Sequence, residues 1–303
     1  MSRTLLFPAL LLFGAAPLAA QGSRSSEHES RIDTTIAFDR RGTVALSVGG
    51  GQIVVTGWDR PQVRVRARSE RSTIRMDATS GRLTLDIARS RGGETTFEVT
   101  VPTGVHVSAR ATSGDIRITG TKGIVEAGAQ SGDVHVDDAA ERIELRTLSG
   151  DITGRNLAGN VDANSLSGDI DLSGVRGDVD ATGVSSDVTL RNVTSRYVRA
   201  KSTSGDVAFD GAVDGAGRYE LRSHSGSVSL MVPQNTGALV TISTYNGTID
   251  SPDFPITLKP GDHGISQTRR YTFEIGKGDA RISAESFSGD IMIRSRSRST
   301  PDR

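Results

Sequence analysis

The sequence predicts an all-β protein wound as a single-stranded parallel β-helix, and three observations carry that prediction. A short motif, Ser-Gly-Asp followed by an apolar residue, returns again and again: "TSGDIRITG" at Thr112, "QSGDVHVDD" at Gln130, "LSGDITG" at Leu148, "LSGDIDLSG" at Leu166, "VSSDVTL" at Val184, "TSGDVAFDG" at Thr203 and "FSGDIMI" at Phe287. The residues after each motif alternate apolar and polar, the period of a strand with one face inward. The composition, with 35 Gly, 9 Pro, 1 Trp and apolar positions held mostly by Val, Ile, Leu and Ala, favours short strands and tight turns over helices.

The chain of 303 residues opens on "MSRTLLFPALLLFGAAPLAA", an apolar run closed by small residues, which predicts a signal peptide over 1–20. A flexible mature start is expected over 21–31. No later segment reaches the roughly 18 apolar residues of a membrane-spanning helix. There is no Cys, hence neither a disulfide nor a lipid-bearing cysteine, and the expectation is an exported protein, periplasmic, cell-surface or secreted.

Irregular first coils or a cap are expected over 32–105, where "TVALSVGGGQIVVTGWDRPQVRVRARSE" and its neighbours alternate without the motif. The solenoid proper is expected over 106–294, continuous with them. The motif glycine falls at 114, 132, 150 and 168, Ser186 takes the next slot, and Gly follows at 205, 226, 247 and 289, giving spacings of 18, 18, 18, 18, 19, 21, 21 and 42. A fixed period of 18–21 residues marks stacked coils, each unable to bury its apolar face alone. Each coil reads as two strands and two corners: Val134 and Val136 after the motif, Ile143 and Leu145 after a second turn. Roughly ten coils at about 4.8 Å per step give a rod on the order of 50 Å long. The spacing of 19 predicts a corner bulge in "TSRYVRAKSTSGD". The 42 predicts a hidden rung at "YTFEIG", preceded by a Pro- and Gly-rich excursion, "SPDFPITLKPGDHG". An Arg/Ser-rich tail over 295–303 closes the chain beside what reads as the last open strand.

The motif itself has a structural reading. Its Ser, at 113, 131, 149, 167, 185, 204, 225 and 288, is expected to point inward or into the corner and to hydrogen-bond corner carbonyls. Its Gly is expected to make the corner. Its Asp column, Asp115, Asp133, Asp151, Asp169, Asp187 and Asp206, stacks like charges at about 4.8 Å and requires compensation. Two readings compete: each carboxylate caps backbone N–H groups of its own corner, or the column takes up Ca²⁺, which wants six to eight oxygens. These six residues are the only metal-ligand candidates; no other cofactor is implied. A second acidic column, Glu126, Glu144, Asp162 and Asp180, is expected to face solvent or a partner. No nucleophile elbow occurs and no His keeps a register position, so no catalytic residue is assigned.

Charge is balanced at 36 basic and 36 acidic residues, yet 11 Arg stand against 5 acids from Asp39 to Arg91, and 14 acids against 6 basic residues from Thr112 to Leu190. This is not a nucleic-acid footprint, and it permits end-to-side self-association. Trp58 in "GWDRP" reads as a packing residue, and Asp137 and Asp138 as turn residues. A β-helical carbohydrate-active enzyme would need acids converging in a groove with aromatics to grip sugar, and the chain is only 4% aromatic.

Three segments, "GQIVVTGWDRPQVRVRA", "FEVTVPTGVHVSARATSGDIRI" and "GKGDARISAESFSGDIMI", resemble in that order the bacterial β-strand-repeat family of candidate adhesins, domain of unknown function 4097. The likeness spans roughly 32–294. It implies a β-helix, export or membrane attachment, and no known catalytic activity. The functional expectation is thus a non-enzymatic envelope protein, an adhesin or scaffold whose partner is an envelope or surface protein or glycan, with a calcium-stabilised module as the alternative.

Overall fold

The structure is a computed structural model in which residues 30–89, 92–254 and 269–296 are described. The expected signal peptide, most of the 21–31 start, most of the excursion after Asp250 and all of the tail beyond Arg296 lie outside these residues. Ser30 and Arg31 already belong to the strand Ser30–Ala37. Among the described residues the protein is all-β: 22 strands join into one sheet, no helix occurs, and no helix long and apolar enough to cross a membrane is present.

The alternation read from the sequence sets each wall. In Val125–Ser131, Val125, Ala127 and Ala129 point inward while Glu126 and Gly128 point out. The next coil repeats this in parallel register, Ile143 beside Val125 and Leu145 beside Ala127. The second wall stacks Ile152 between Val134 and Ile170. Successive coils are therefore joined by parallel ladders on both walls, and the inward Val, Ile, Leu and Ala form one continuous core.

Two differences from the sequence reading concern the coil itself. There are three corners, not two. After the second wall the chain turns at residues with left-handed φ, namely Gly120, Asp138, Asn156, Gly174 and Asn192, residue types that tolerate that region. One inward residue then fills a short third wall: Thr121, Ala139, Leu157, Val175 and Val193, all essentially buried. The third corner follows at 123, 141, 159 and 177, and it absorbs the irregular spacings. Val179 pairs with Val198 while Arg176 bridges Thr194, so the extra residue lies at 195–197, the expected bulge. Three more residues enter before Arg218, where the buried Tyr219 hydroxyl donates to Ser195 O at 2.6 Å and accepts Asp214 N–H at 2.8 Å.

The motif serine does not point inward. Ser113, Ser131, Ser149, Ser167, Ser185, Ser204, Ser225 and Ser288 are exposed, because the backbone already bends at Ser-Gly and places this residue outside the bend. The buried hydroxyls stand two residues earlier. Ser202 Oγ donates to Ser186 O at 2.7 Å, Ser223 to Gly205 O at 2.8 Å, Ser286 to Gly226 O at 2.9 Å and Thr244 to Gly289 O at 3.1 Å. They satisfy corner carbonyls that no strand reaches.

The corner glycine is required by a close approach. A Cβ at Gly150 would sit well inside 3.0 Å of Gly132 O, and Gly150 has φ +139°. The same approach, read from corner to corner, orders the coils in space: Gly51, Gly114, Gly132, Gly150, Gly168, Ser186, Gly205, Gly226, Gly289, Gly247.

That order departs from chain order at both ends. Thr43–Trp58 lies inside, between His106–Thr119 and the later strands Arg82–Arg89 and Thr95–Pro102, all parallel to it. Antiparallel strands close this end: Gln62–Ser69 covers Thr95–Pro102, Ser30–Ala37 covers Gln62–Ser69, and Thr73–Ala78 covers Arg82–Arg89. At the other end the final coil, Ala280–Ser288 with Ile291–Arg296, inserts between Val207–Pro233 and Ala238–Asp250. The expected rung at Tyr271 is instead an antiparallel cover, Arg269–Ile275 against Ala238–Thr244. The tail consequently follows an interior strand, not an open one. The outermost strands at both ends are thus the antiparallel covers Ser30–Ala37, Thr73–Ala78 and Arg269–Ile275, each paired along one side among the described residues.

Candidate functional site

Each Asp of the column accepts one backbone N–H through Oδ1, though not as expected. Each carboxylate reaches the next coil rather than its own corner: Asp133 N–H donates to Asp115 Oδ1 at 3.0 Å, Asp151 to Asp133 at 2.9 Å, Asp169 to Asp151 at 2.8 Å, Asp187 to Asp169 at 2.9 Å and Asp206 to Asp187 at 2.7 Å. Asp206 takes Ser227 N–H at 2.7 Å. Near the C-terminal end Asp290 Oδ1 accepts both the N–H and the hydroxyl of Thr248 at 2.8 Å, and these bonds hold its pKa below the ordinary carboxylate value. The corner N–H of the Asp lies outside the strand ladders, so the side chain of the neighbouring coil supplies its acceptor. Among the described residues no group of three or more His, Cys, Asp or Glu is placed to hold a metal ion.

The second acidic column is paired in part by its own face: Glu144 and Asp180 meet cations, Asp162 accepts from the Asn164 amide, and Glu126 faces His106. Glu144 is paired with Arg142 at 2.5 Å and Arg146 at 3.5 Å, Asp180 with Arg199 at 3.3 Å, and Glu220 with Lys201 at 3.0 Å. Burial raises the Asp180 pKa, partly countered by Arg199. At Glu220 burial acts upward too, but the Lys201 hydrogen bond and the charges of Lys201, Arg222 and Arg199 outweigh it and the pKa falls. Asp137 and Asp138 sit at the second corner, engaged by Asn156 Nδ2 at 3.2 Å and Lys122 Nζ at 3.4 Å. His106 lies 3.3 Å from Glu126; His28 and His263 are outside the described residues.

The surface feature the motif analysis missed is the residue just before the motif serine. It faces out, where alternation calls for a polar side chain, yet Leu148 is 56%, Leu166 46%, Val184 41%, Phe287 49% and Tyr245 42% exposed. Register stacks them: Ser149, Ser167 and Ser185 are neighbours, so Leu148, Leu166 and Val184 form one stripe about 4.8 Å per step. Thr203 continues it to an aromatic stack in which His224 and Phe287 rings lie 4.8 Å apart at 11°, and Phe287 and Tyr245 5.0 Å apart at 3°. A groove of about 700 Å³ runs beside the aliphatic part, dented at Gly128, with Arg146 and Glu144 along it. A second, of about 560 Å³, runs beside the aromatic part with Lys201, Arg222 and Glu285. The signal was present in "LSGD", "LSGD", "VSSD", "YNGT" and "FSGD".

No curated protein matches this chain. Among solved structures it is similar to a candidate adhesin from Bacteroides fragilis, 14% identical over 88% of this chain and 97% of that one with a TM-score of 0.45. A candidate adhesin from Parabacteroides distasonis is 13% identical over 88% and 98%, TM-score 0.34. A candidate lipid-binding protein from the same species is 10% identical over 88% and 97%, TM-score 0.34. The family model Toastrack DUF4097 matches residues 52–294. With most of its length covered by that match, the chain belongs to the Toastrack DUF4097 family.

Proposed function

We propose that this protein is an exported, non-catalytic module of the cell envelope, a rigid β-solenoid of roughly ten coils that serves adhesion or scaffolding by docking a surface protein along one edge. The observation that carries the reading is the exposed column from Leu148 to Tyr245. Leu148, Leu166, Val184, Phe287 and Tyr245, sharing one outward slot with Thr203 and His224, present apolar side chains where a partner can cover them. Each of these side chains is about half exposed, so covering it contributes roughly 1 kcal/mol, on the order of 5 kcal/mol together before association costs. The motif itself, with its glycines packed and its aspartates hydrogen-bonded at the corners, supplies rigidity.

The test is capture from envelope extract on the immobilised protein, wild type against Leu148→Asp/Leu166→Asp/Phe287→Asp. These side chains lie outside the core, so the triple variant stays folded, its melting midpoint lowered only by the repulsion of two stacked carboxylates, roughly 1 kcal/mol, and the lost ring contacts of Phe287. Loss of the captured protein with folding intact is the expected result. Equal capture by the two would sink the assignment.

A further inference from the structure

A separate cavity of about 530 Å³ opens beside the third wall at the N-terminal end, lined by Arg40, Arg41, Trp58, Arg60 and Lys122. Its backbone frame is tightly tied. Thr103 N–H donates to Trp58 O at 3.1 Å, His106 N–H to Gly42 O at 3.0 Å and Lys122 N–H to Thr103 O at 2.5 Å. Gly104 passes Arg40 O so closely that a Cβ there would come to 2.9 Å. The turn carrying Arg40 and Arg41 is fixed by Asp39 Oδ1, which accepts Arg41 N–H at 3.0 Å. Trp58 donates its indole N–H to Gln62 O at 2.7 Å, and Arg60 lies 5.2 Å from its ring centroid.

The charges around this frame are unequal. The guanidinium groups of Arg40, Arg41 and Arg60 have no ion-pair partner among the described residues, and Lys122 meets only Asp138, at 3.4 Å. Asp59 and Glu141 are the two carboxylates on the lining, and His106 is turned to Glu126 at 3.3 Å. Four cationic side chains, three of them without an ion-pair partner among the described residues, line this one cavity beside the indole. Guanidinium forks match carboxylates bidentately, and an indole offers an apolar face to a sugar ring. We infer that this cavity binds an acidic glycan, a chain of carboxylate-bearing sugars, with Arg40 and Arg41 on the carboxylates and Trp58 against a ring.

This site is independent of the exposed apolar column, and its test does not rely on that reading. Trp58 is the sole tryptophan of the chain, so its fluorescence reports the cavity directly. The purified protein is titrated with an oligogalacturonate, with maltotriose as a neutral sugar and with inorganic phosphate. The expected result is a saturable change with the oligogalacturonate, with roughly tenfold or greater weakening in Arg40→Ala/Arg41→Ala and at high salt, and much weaker responses to maltotriose and phosphate. Lys122→Gln gives a second variant should the double change unfold the turn, and Leu148→Asp/Leu166→Asp leaves the response intact. Absence of a saturable change, an equal response to phosphate, or binding unaffected by the Arg40/Arg41 and Lys122 variants would each overturn the assignment.

Discussion

The inserted final coil can be tested without a new structure, because the protein contains no cysteine of its own. Chain order places Asn246 in the coil after Ser225, 21 residues on; the structure places Ser288 there, directly paired with Ser225. Asn246 N–H instead bonds Phe287 O at 2.9 Å, one coil further out. Neighbouring parallel strands hold paired Cα atoms about 4.8 Å apart, within the roughly 4.4–6.8 Å a disulfide spans, whereas two coils make about 9.6 Å. Ser225→Cys/Ser288→Cys therefore closes on mild oxidation and Ser225→Cys/Asn246→Cys does not. Thiol titration and mobility on non-reducing gels distinguish the two. The closed pair pins a loop of about 60 residues, for which the chain-entropy estimate is about 4 kcal/mol less any strain, enough to raise the melting midpoint on the order of 10 °C. Ready closure of the 225/246 pair and not the 225/288 pair would refute the inserted order.

Three further outcomes follow from the corner. Gly150→Ala combines a left-handed backbone with a Cβ forced onto Gly132 O and should cost about 2–4 kcal/mol in urea unfolding, while Gly215→Ala, which meets nothing within 4 Å, should change stability by less than about 0.5 kcal/mol. Asp151→Asn keeps an oxygen for Asp169 N–H and removes one charge from the column, so it should be neutral or stabilising; Asp151→Ala loses the bond and should be the less stable of the two, and melts in calcium and in chelator should coincide for the wild type. Because the pKa of Asp290 is depressed by the Thr248 bonds, its stabilising contribution is present above the unfolded-state value near 3.8 and is lost as pH falls through the lower folded value; the stability advantage of the wild type over Asp290→Asn should therefore be constant near neutral pH and shrink only below about pH 4.

Much of this architecture was readable because period and alternation are local properties. The core positions, the corner glycine and the parallel coil-on-coil stacking all follow from residues 18 apart. The third wall was equally periodic, with Asp138, Asn156, Gly174 and Asn192 each preceding an inward apolar residue, but a wall of one inward residue carries no alternation to notice. The orientation of the motif serine was misread because alternation was carried through a bend. The coil order at the ends could not be read at all, since spacing along the chain is the same whether a coil is added outside or slipped between two others. The Asp column shows the same limit: a carboxylate at a corner can cap its own turn or the next, and only the stacked geometry decides. The apolar column was in plain view, one residue ahead of a motif whose own repetition drew the attention.

The most direct test separates scaffold from interface in one experiment. Wild type, Asp151→Ala/Asp169→Ala and Leu148→Asp/Leu166→Asp are compared for melting midpoint and for capture of the envelope partner. The account predicts that the aspartate pair lowers the midpoint and keeps capture below it, while the leucine pair stays folded, with a midpoint lowered by no more than the roughly 1 kcal/mol repulsion of its two carboxylates, and loses capture. The reverse pattern, capture lost through Asp151 and Asp169 at unchanged stability and retained without Leu148 and Leu166, would place the function in the motif and contradict the account.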